Sequence, residues 1–226
     1  MSQALASHVV RDVRVPVGDG ALFGDLDVPA GAKALVLFAH GSGSSRRSPR
    51  NVWVAKRLHG HAVATLLFDL LTPAEEQRDA VTREHRFDIP LLARRLVDAI
   101  DWAATQDDLF PLPLGLFGAS TGSAAALVAA AMRVDRVGAV VSRGGRPDLA
   151  GDALPRVAAP TLMIVGGRDD VVLDLNRRAL ASMRCDKRLD VVPGATHLFE
   201  EPGALERVAA LAAEWFVEYL IVEKAR

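Results

Sequence analysis

The stretch that most constrains this chain is LPLGLFGASTGSAAALVAAAM, from Leu112 to Met132. Leu112 to Phe117 is a short apolar run bounded by proline and glycine, and a run of small helix-forming residues follows Gly122, so the pattern predicts strand, sharp turn, helix. Ser120 stands at that turn. Gly118-Ala119-Ser120-Thr121-Gly122 fits GxSxG, in which the serine occupies a strained turn and the glycines let strand and helix pack closely beneath it. Its hydroxyl is then held out for attack, with the N–H of Thr121 at the helix start directed toward a developing oxyanion.

The flanking sequence supplies a sheet for this turn to sit on. His8–Val17 and Ala21–Val28 alternate around Gly18-Asp19-Gly20, which predicts an antiparallel hairpin. Ala34–Ala39 and Ala62–Phe68 are continuous apolar runs of the kind buried on both faces of a parallel sheet, and Val137–Val141, Thr161–Val165 and Leu189–Val192 are further strands. Helices are expected over Val52–His59, Ile89–Thr105, Leu173–Met183 and Gly203 to about Ile221, while Thr72–Asp88 reads as a polar surface segment with some helix. Strand and helix alternate from Ala34 onward. The expected fold is therefore α/β: about eight mostly parallel strands after an antiparallel hairpin, helices on both faces, no large lid, and one domain over residues 1–226.

Composition removes several classes of function. Formal net charge is −1, so no global charge draws the chain to nucleic acid or an acidic membrane. The first residues lack a basic region followed by an apolar core, and the longest apolar run, Ala124–Met132, is too short to span a bilayer; a soluble, cytoplasmic protein is expected. Cys185 is the only cysteine, which excludes an intramolecular disulfide, and its charged surroundings suit a structural thiol. His8, His59, His61 and His85 show no metal-ligand spacing, GxxxxGK[ST] is absent, and no metal or organic cofactor is expected.

Ligands of an open α/β sheet gather beyond the carboxyl ends of its strands. Four such loops carry chemistry: His40-Gly41-Ser42-Gly43 after the third strand, Ser120 after the fifth, Asp169 after the seventh and His197 after the eighth. Ser, Asp and His in that order suit a nucleophile, the aspartate that orients the imidazole, and the general base. Ser42 joins Thr121 as a candidate oxyanion donor, and His40 is expected to brace its turn. Asp170, and less directly Asp148, are alternatives to Asp169. Arg46, Arg47 and Arg50 follow the oxyanion turn and Arg143 and Arg146 flank Gly144-Gly145, so the guanidinium groups either bind an anionic substrate or pin the loops, Arg143 by pairing with Asp69 or Asp148.

Through HGSGSSRRSPRN, LLFDLLT, GLFGASTGSAAALVAAA, VVSRGGRPDLAG, PTLMIVGGRDD and VPGATHLFEEPG, the sequence resembles the dienelactone hydrolase-like branch of the α/β-hydrolase superfamily from about Ala34 onward. The resemblance implies a Ser120–Asp169–His197 triad with backbone donors at Ser42 and Thr121. Dienelactone hydrolases proper use a cysteine nucleophile, so serine here implies a more general small ester, lactone or thioester as substrate. Relatives of this type also occur joined to phosphoribosyltransferases, which hints at a phosphorylated or nucleotide-like context. Acyl transfer would use the same residues, and a non-catalytic binding module is the reading from another class. Oligomeric state is not legible in the sequence.

Overall fold

A computed structural model describes residues 8–18 and 20–222; Asp19 of the expected hairpin turn and the first seven residues, on which the absence of a leader was read, lie outside them. Strands β1 (His8–Val17) and β2 (Gly20–Pro29) pair antiparallel in register Val15↔Leu22, as their alternation requires. β3 (Ala34–Ala39) and β4 (Val63–Phe68) are buried at every residue, which explains their unbroken apolar runs. With β5 (Leu114–Ala119), β6 (Val137–Arg143), β7 (Thr161–Gly166) and β8 (Lys187–Val192) they form an eight-stranded sheet of order β1-β2-β4-β3-β5-β6-β7-β8. β2 runs antiparallel to β4, and every pairing from β4 to β8 is parallel.

Helices cover both faces. α1 (Pro49–His59) and α6 (Ala204–Phe216) pack together over Val36, Phe38 and Phe117, whereas α3 (Ile89–Ala103) and α4 (Thr121–Met132) meet over Leu35, Leu37 and Leu116. Leu92, Leu96 and Ile100 of α3 fall on one helical stripe and are buried, each contributing on the order of 1.5–3 kcal/mol relative to exposure. α4 has no polar face because α3 and a 3₁₀ segment, Pro147–Arg156, close around it. Its alanines allow that close approach.

Several boundaries differ from the sequence expectation. α1 begins three residues early because Ser48 accepts the Asn51 N–H and Pro49 occupies the first turn. Within the polar segment after Thr72, a capping box starts α2 (Pro73–Thr82): Thr72 accepts the Glu75 N–H and Glu75 accepts the Thr72 N–H. α5 (Asp170–Ser182) also starts three residues early, and α6 ends at Phe216 in a π turn, Val217–Ile221. β6 continues two residues beyond Val141 through pairing with β5 and β7, so Ser142 and Arg143 belong to the strand and not to the loop. Arg143 is thereby fixed to the sheet.

Candidate active site

Ser120 joins the end of β5 to the start of α4 with φ 52° and ψ −121°, a backbone state that a non-glycine residue holds only when its surroundings enforce it. They do so from both sides. The Ser120 N–H donates to Arg143 O at 3.1 Å and the Ser120 carbonyl accepts the Arg146 N–H at 3.1 Å, tying the turn to the end of β6. A Cβ on Gly122 would stand 2.3 Å from Ala39 O, and one on Gly118 would stand 2.5 Å from Ser123 Cα. Only glycine lets helix and strands approach this closely.

Asp169 lies just beyond β7 and His197 in the loop after β8. Asp169 occupies the N-cap position of α5 yet caps nothing; its Oδ2 meets His197 Nδ1 at 2.6 Å. That contact fixes the tautomer, with Nδ1–H donated to the carboxylate and Nε2 left free. The contact with His197 belongs to Asp169 and to neither alternative acid: Asp170 is exposed in the first turn of α5, and Asp148 holds Arg146 through two hydrogen bonds of 2.9 and 2.7 Å.

Ser120 and His197 face one cavity of about 280 Å³, shared with Ser42, Ser44, Asn51, Arg50 and Arg143. A neighbouring cavity of about 410 Å³ reaches over Gly41–Ser45 to α2 and α3, and Ser120, Asp169 and His197 are absent from its walls. Ser120 and His197 are not hydrogen-bonded to each other in this conformation, as is common before substrate draws such groups together. Asn51 is a contributor the sequence reading missed: it is buried, with Oδ1 unpartnered, on a helix start that propensity placed one turn later.

The oxyanion turn departs from expectation in one respect. The Ser42 N–H is not free, because it donates to Thr121 Oγ1 at 2.8 Å, while the Thr121 N–H, at the first helical position, has no intrahelical acceptor. His40 braces this turn as expected: Nδ1 meets Gly41 O at 3.0 Å, Nε2 accepts the Leu70 N–H at 3.2 Å, and burial pulls its pKa below the usual imidazole value. Cys185 is half-buried far along the chain, with its thiol pKa pushed up by burial, which makes it a poor nucleophile.

Residues 32–211 match the family model described as an alpha/beta hydrolase domain. The chain belongs to the α/β-hydrolase family. Within it the chain is dienelactone hydrolase-like: a dienelactone hydrolase from Anabaena variabilis ATCC 29413 superposes with TM-score 0.93 at 58% identity, covering 94% of this chain and 99% of that one. Est1E from Butyrivibrio proteoclasticus shares the fold, with TM-score 0.77 at 18% identity over 92% and 98% of the two chains. A Mycobacterium tuberculosis strain H37Rv protein named "Putative phosphoribosyl transferase" is 59% identical over 219 residues, 96% of this chain. The chain spans about half the length of that relative, 48% of which is covered. No helix among the described residues is long and apolar enough to cross a membrane.

In this α/β-hydrolase the arginines separate into two groups. Arg46 is held outside the Ser120 cavity by Asp69, which accepts both its N–H and its guanidinium, and by Asp25 at 3.3 Å; Arg47 lines the adjoining hollows. Arg50 and Arg143 line the Ser120 cavity itself. Neither carboxylate expected to pin Arg143 reaches it, since Asp69 holds Arg46 and Asp148 holds Arg146. Arg143 is 8% exposed, its Nη1 is buried without a partner, and burial together with the nearby Arg50 charge lowers its pKa to about 10. It remains a cation at neutral pH.

Proposed function

We propose that this chain is a serine hydrolase of small carboxylic esters, lactones or thioesters, acting through Ser120, His197 and Asp169. The observation that carries the reading is the joint geometry: a strained serine and an Asp169-held imidazole opening on one cavity. In the first step Ser120 Oγ attacks the carbonyl carbon as His197 Nε2 takes the hydroxyl proton, and Asp169 stabilises the imidazolium. The tetrahedral oxyanion is met by the Thr121 N–H and by the Ser42 N–H once it leaves Thr121 Oγ1. Collapse breaks the ester bond, His197 protonates the departing oxygen or sulfur, and water attacks the acyl-enzyme by the same route.

The preferred substrate carries a negative charge near the scissile carbonyl. Arg143 supports this, because a buried guanidinium without a carboxylate partner is costly unless an anion completes it. Arg50 stands beside it, with Nη1 drawn to the exposed Glu200 at 3.0 Å. Phosphoribosyl transfer, by contrast, describes a mycobacterial protein about twice as long, and a strained serine with its imidazole has no task in that reaction.

Labelling with a fluorophosphonate probe tests the assignment. Covalent modification of wild-type protein and none of Ser120→Ala is the expected result, together with loss of ester hydrolysis in the variant. Equal labelling, or wild-type turnover by Ser120→Ala, would refute it.

A further inference from the structure

The N-terminal edge of the sheet, remote from the strand ends that carry Ser120 and His197, holds a second cluster of ligand atoms. His8 begins β1, Asp27 lies near the end of β2 opposite Thr65 in β4, and His59 is the last residue of α1. One atom from each lies within 4.8 Å of the others. His8 Nδ1 is 2.9 Å from Asp27 Oδ1, and His59 Nδ1 is 3.5 Å from Asp27 Oδ2. None of the three lines the Ser120 cavity.

We infer that His8, Asp27 and His59 form a divalent metal site of the class that takes zinc, pinning the edge hairpin to α1. Two ligands each about 2.0–2.1 Å from a tetrahedral ion stand about 3.3 Å apart; the two imidazoles approach opposite oxygens of the one carboxylate at separations near that value, His8 Nδ1 to Asp27 Oδ1 at 2.9 Å and His59 Nδ1 to Asp27 Oδ2 at 3.5 Å. The longer contact is a poor hydrogen bond but a good ligand spacing. His59 Nε2 lies 2.8 Å from Oγ1 of the fully buried Thr65, and a ring N–H donated there turns the Nδ1 lone pair toward Asp27.

The donor set decides the metal. Two imidazoles and one carboxylate suit zinc and its neighbours, whereas magnesium and calcium need oxygen ligands. His8, with 37% of its side chain exposed, leaves the fourth position open to water. Proximity in space and not in sequence makes the site: residues 8, 27 and 59 come from three elements.

Isothermal titration of the chelator-treated full chain with zinc chloride, with thermal denaturation in parallel, tests this. One zinc per chain and a rise in Tm that magnesium does not reproduce are expected, with at least tenfold weaker binding in Asp27→Asn and in His8→Gln. Thr65→Val should weaken zinc about tenfold or more by releasing the His59 ring. Ester turnover of His8→Gln should match wild type, since His8 is distant from Ser120. Absence of stoichiometric zinc uptake, or unchanged uptake in the His8→Gln variant, would overturn the site.

Discussion

The Ser42 N–H donates to Thr121 Oγ1 at 2.8 Å, so one of the two proposed oxyanion donors is held against the residue that carries the other. To meet an oxyanion, Ser42 must give up a bond worth on the order of 0.5–1.5 kcal/mol net. Thr121→Val removes the acceptor while preserving the volume of a residue that is 4% exposed. On the proposed mechanism kcat for a small ester should rise, by up to about tenfold, with KM little changed. A hundredfold fall would show instead that the bond holds the turn in place.

Asp169 and its neighbour provide the sharpest test of the proposed triad. Asp169→Asn replaces the acceptor of the His197 Nδ1–H at 2.6 Å and should lower kcat by about 10⁴, while Asp170→Asn, on an exposed helix turn, should change it less than about threefold. Steady-state kinetics on one chromogenic ester distinguishes the two. The opposite ranking would move the acid by one residue.

Arg143 should discriminate by charge. A charge-assisted hydrogen bond of about 1.5–3 kcal/mol corresponds to about a tenfold to hundredfold preference in kcat/KM for an anionic ester over its neutral isostere. Arg143→Ala should abolish that preference while leaving neutral-ester turnover near wild type. Arg143→Lys should restore part of it, since a point charge lacks the planar fork. If the neutral ester is preferred, the arginine is structural.

Gly122 tests the turn itself. A methyl group there would overlap Ala39 O at 2.3 Å and His40 O at 2.5 Å, both backbone atoms that no rotamer change can move. Gly122→Ala should cost about 1–3 kcal/mol or more, lowering Tm by about 2–4 °C for each kcal/mol, with activity falling as the serine shifts. Gly18→Ala, whose added Cβ meets nothing within 4 Å though its φ is +48°, serves as the comparison for strain without collision.

Asp79 ties the end of α2 to the loop beneath the larger cavity. Burial alone raises its pKa, but the Arg86 N–H at 3.0 Å, the Arg86 guanidinium at 2.6 Å and the His85 N–H at 2.8 Å outweigh it and hold the carboxyl below its usual range. A depressed folded pKa stabilises fully above the unfolded value, near about 3.9, and that stability is lost as pH falls through the folded value. Wild type should therefore exceed Asp79→Asn in denaturant midpoint at pH 7, and the gap should close below about pH 4. A gap that persists at pH 2 would assign it to packing.

Local sequence signals were enough to order the elements and to put Ser120, Asp169 and His197 in loops after strands. Unbroken apolar runs mark strands buried on both faces, and GxSxG marks a backbone that must bend sharply within five residues. The same reading placed α1 and α5 three residues late: at α1 it passed over Ser48 and Pro49, which are themselves a local start signal, and at α5 it took Leu173 for the start at Asp170. Which partner each charged group takes was settled by packing in three dimensions. Asp69 went to Arg46, Asp148 to Arg146, the Ser42 amide to Thr121, and His8, Asp27 and His59 came together from three elements. Those choices turn on separations of a few ångströms between residues far apart in sequence, and composition and periodicity carry no information about such distances.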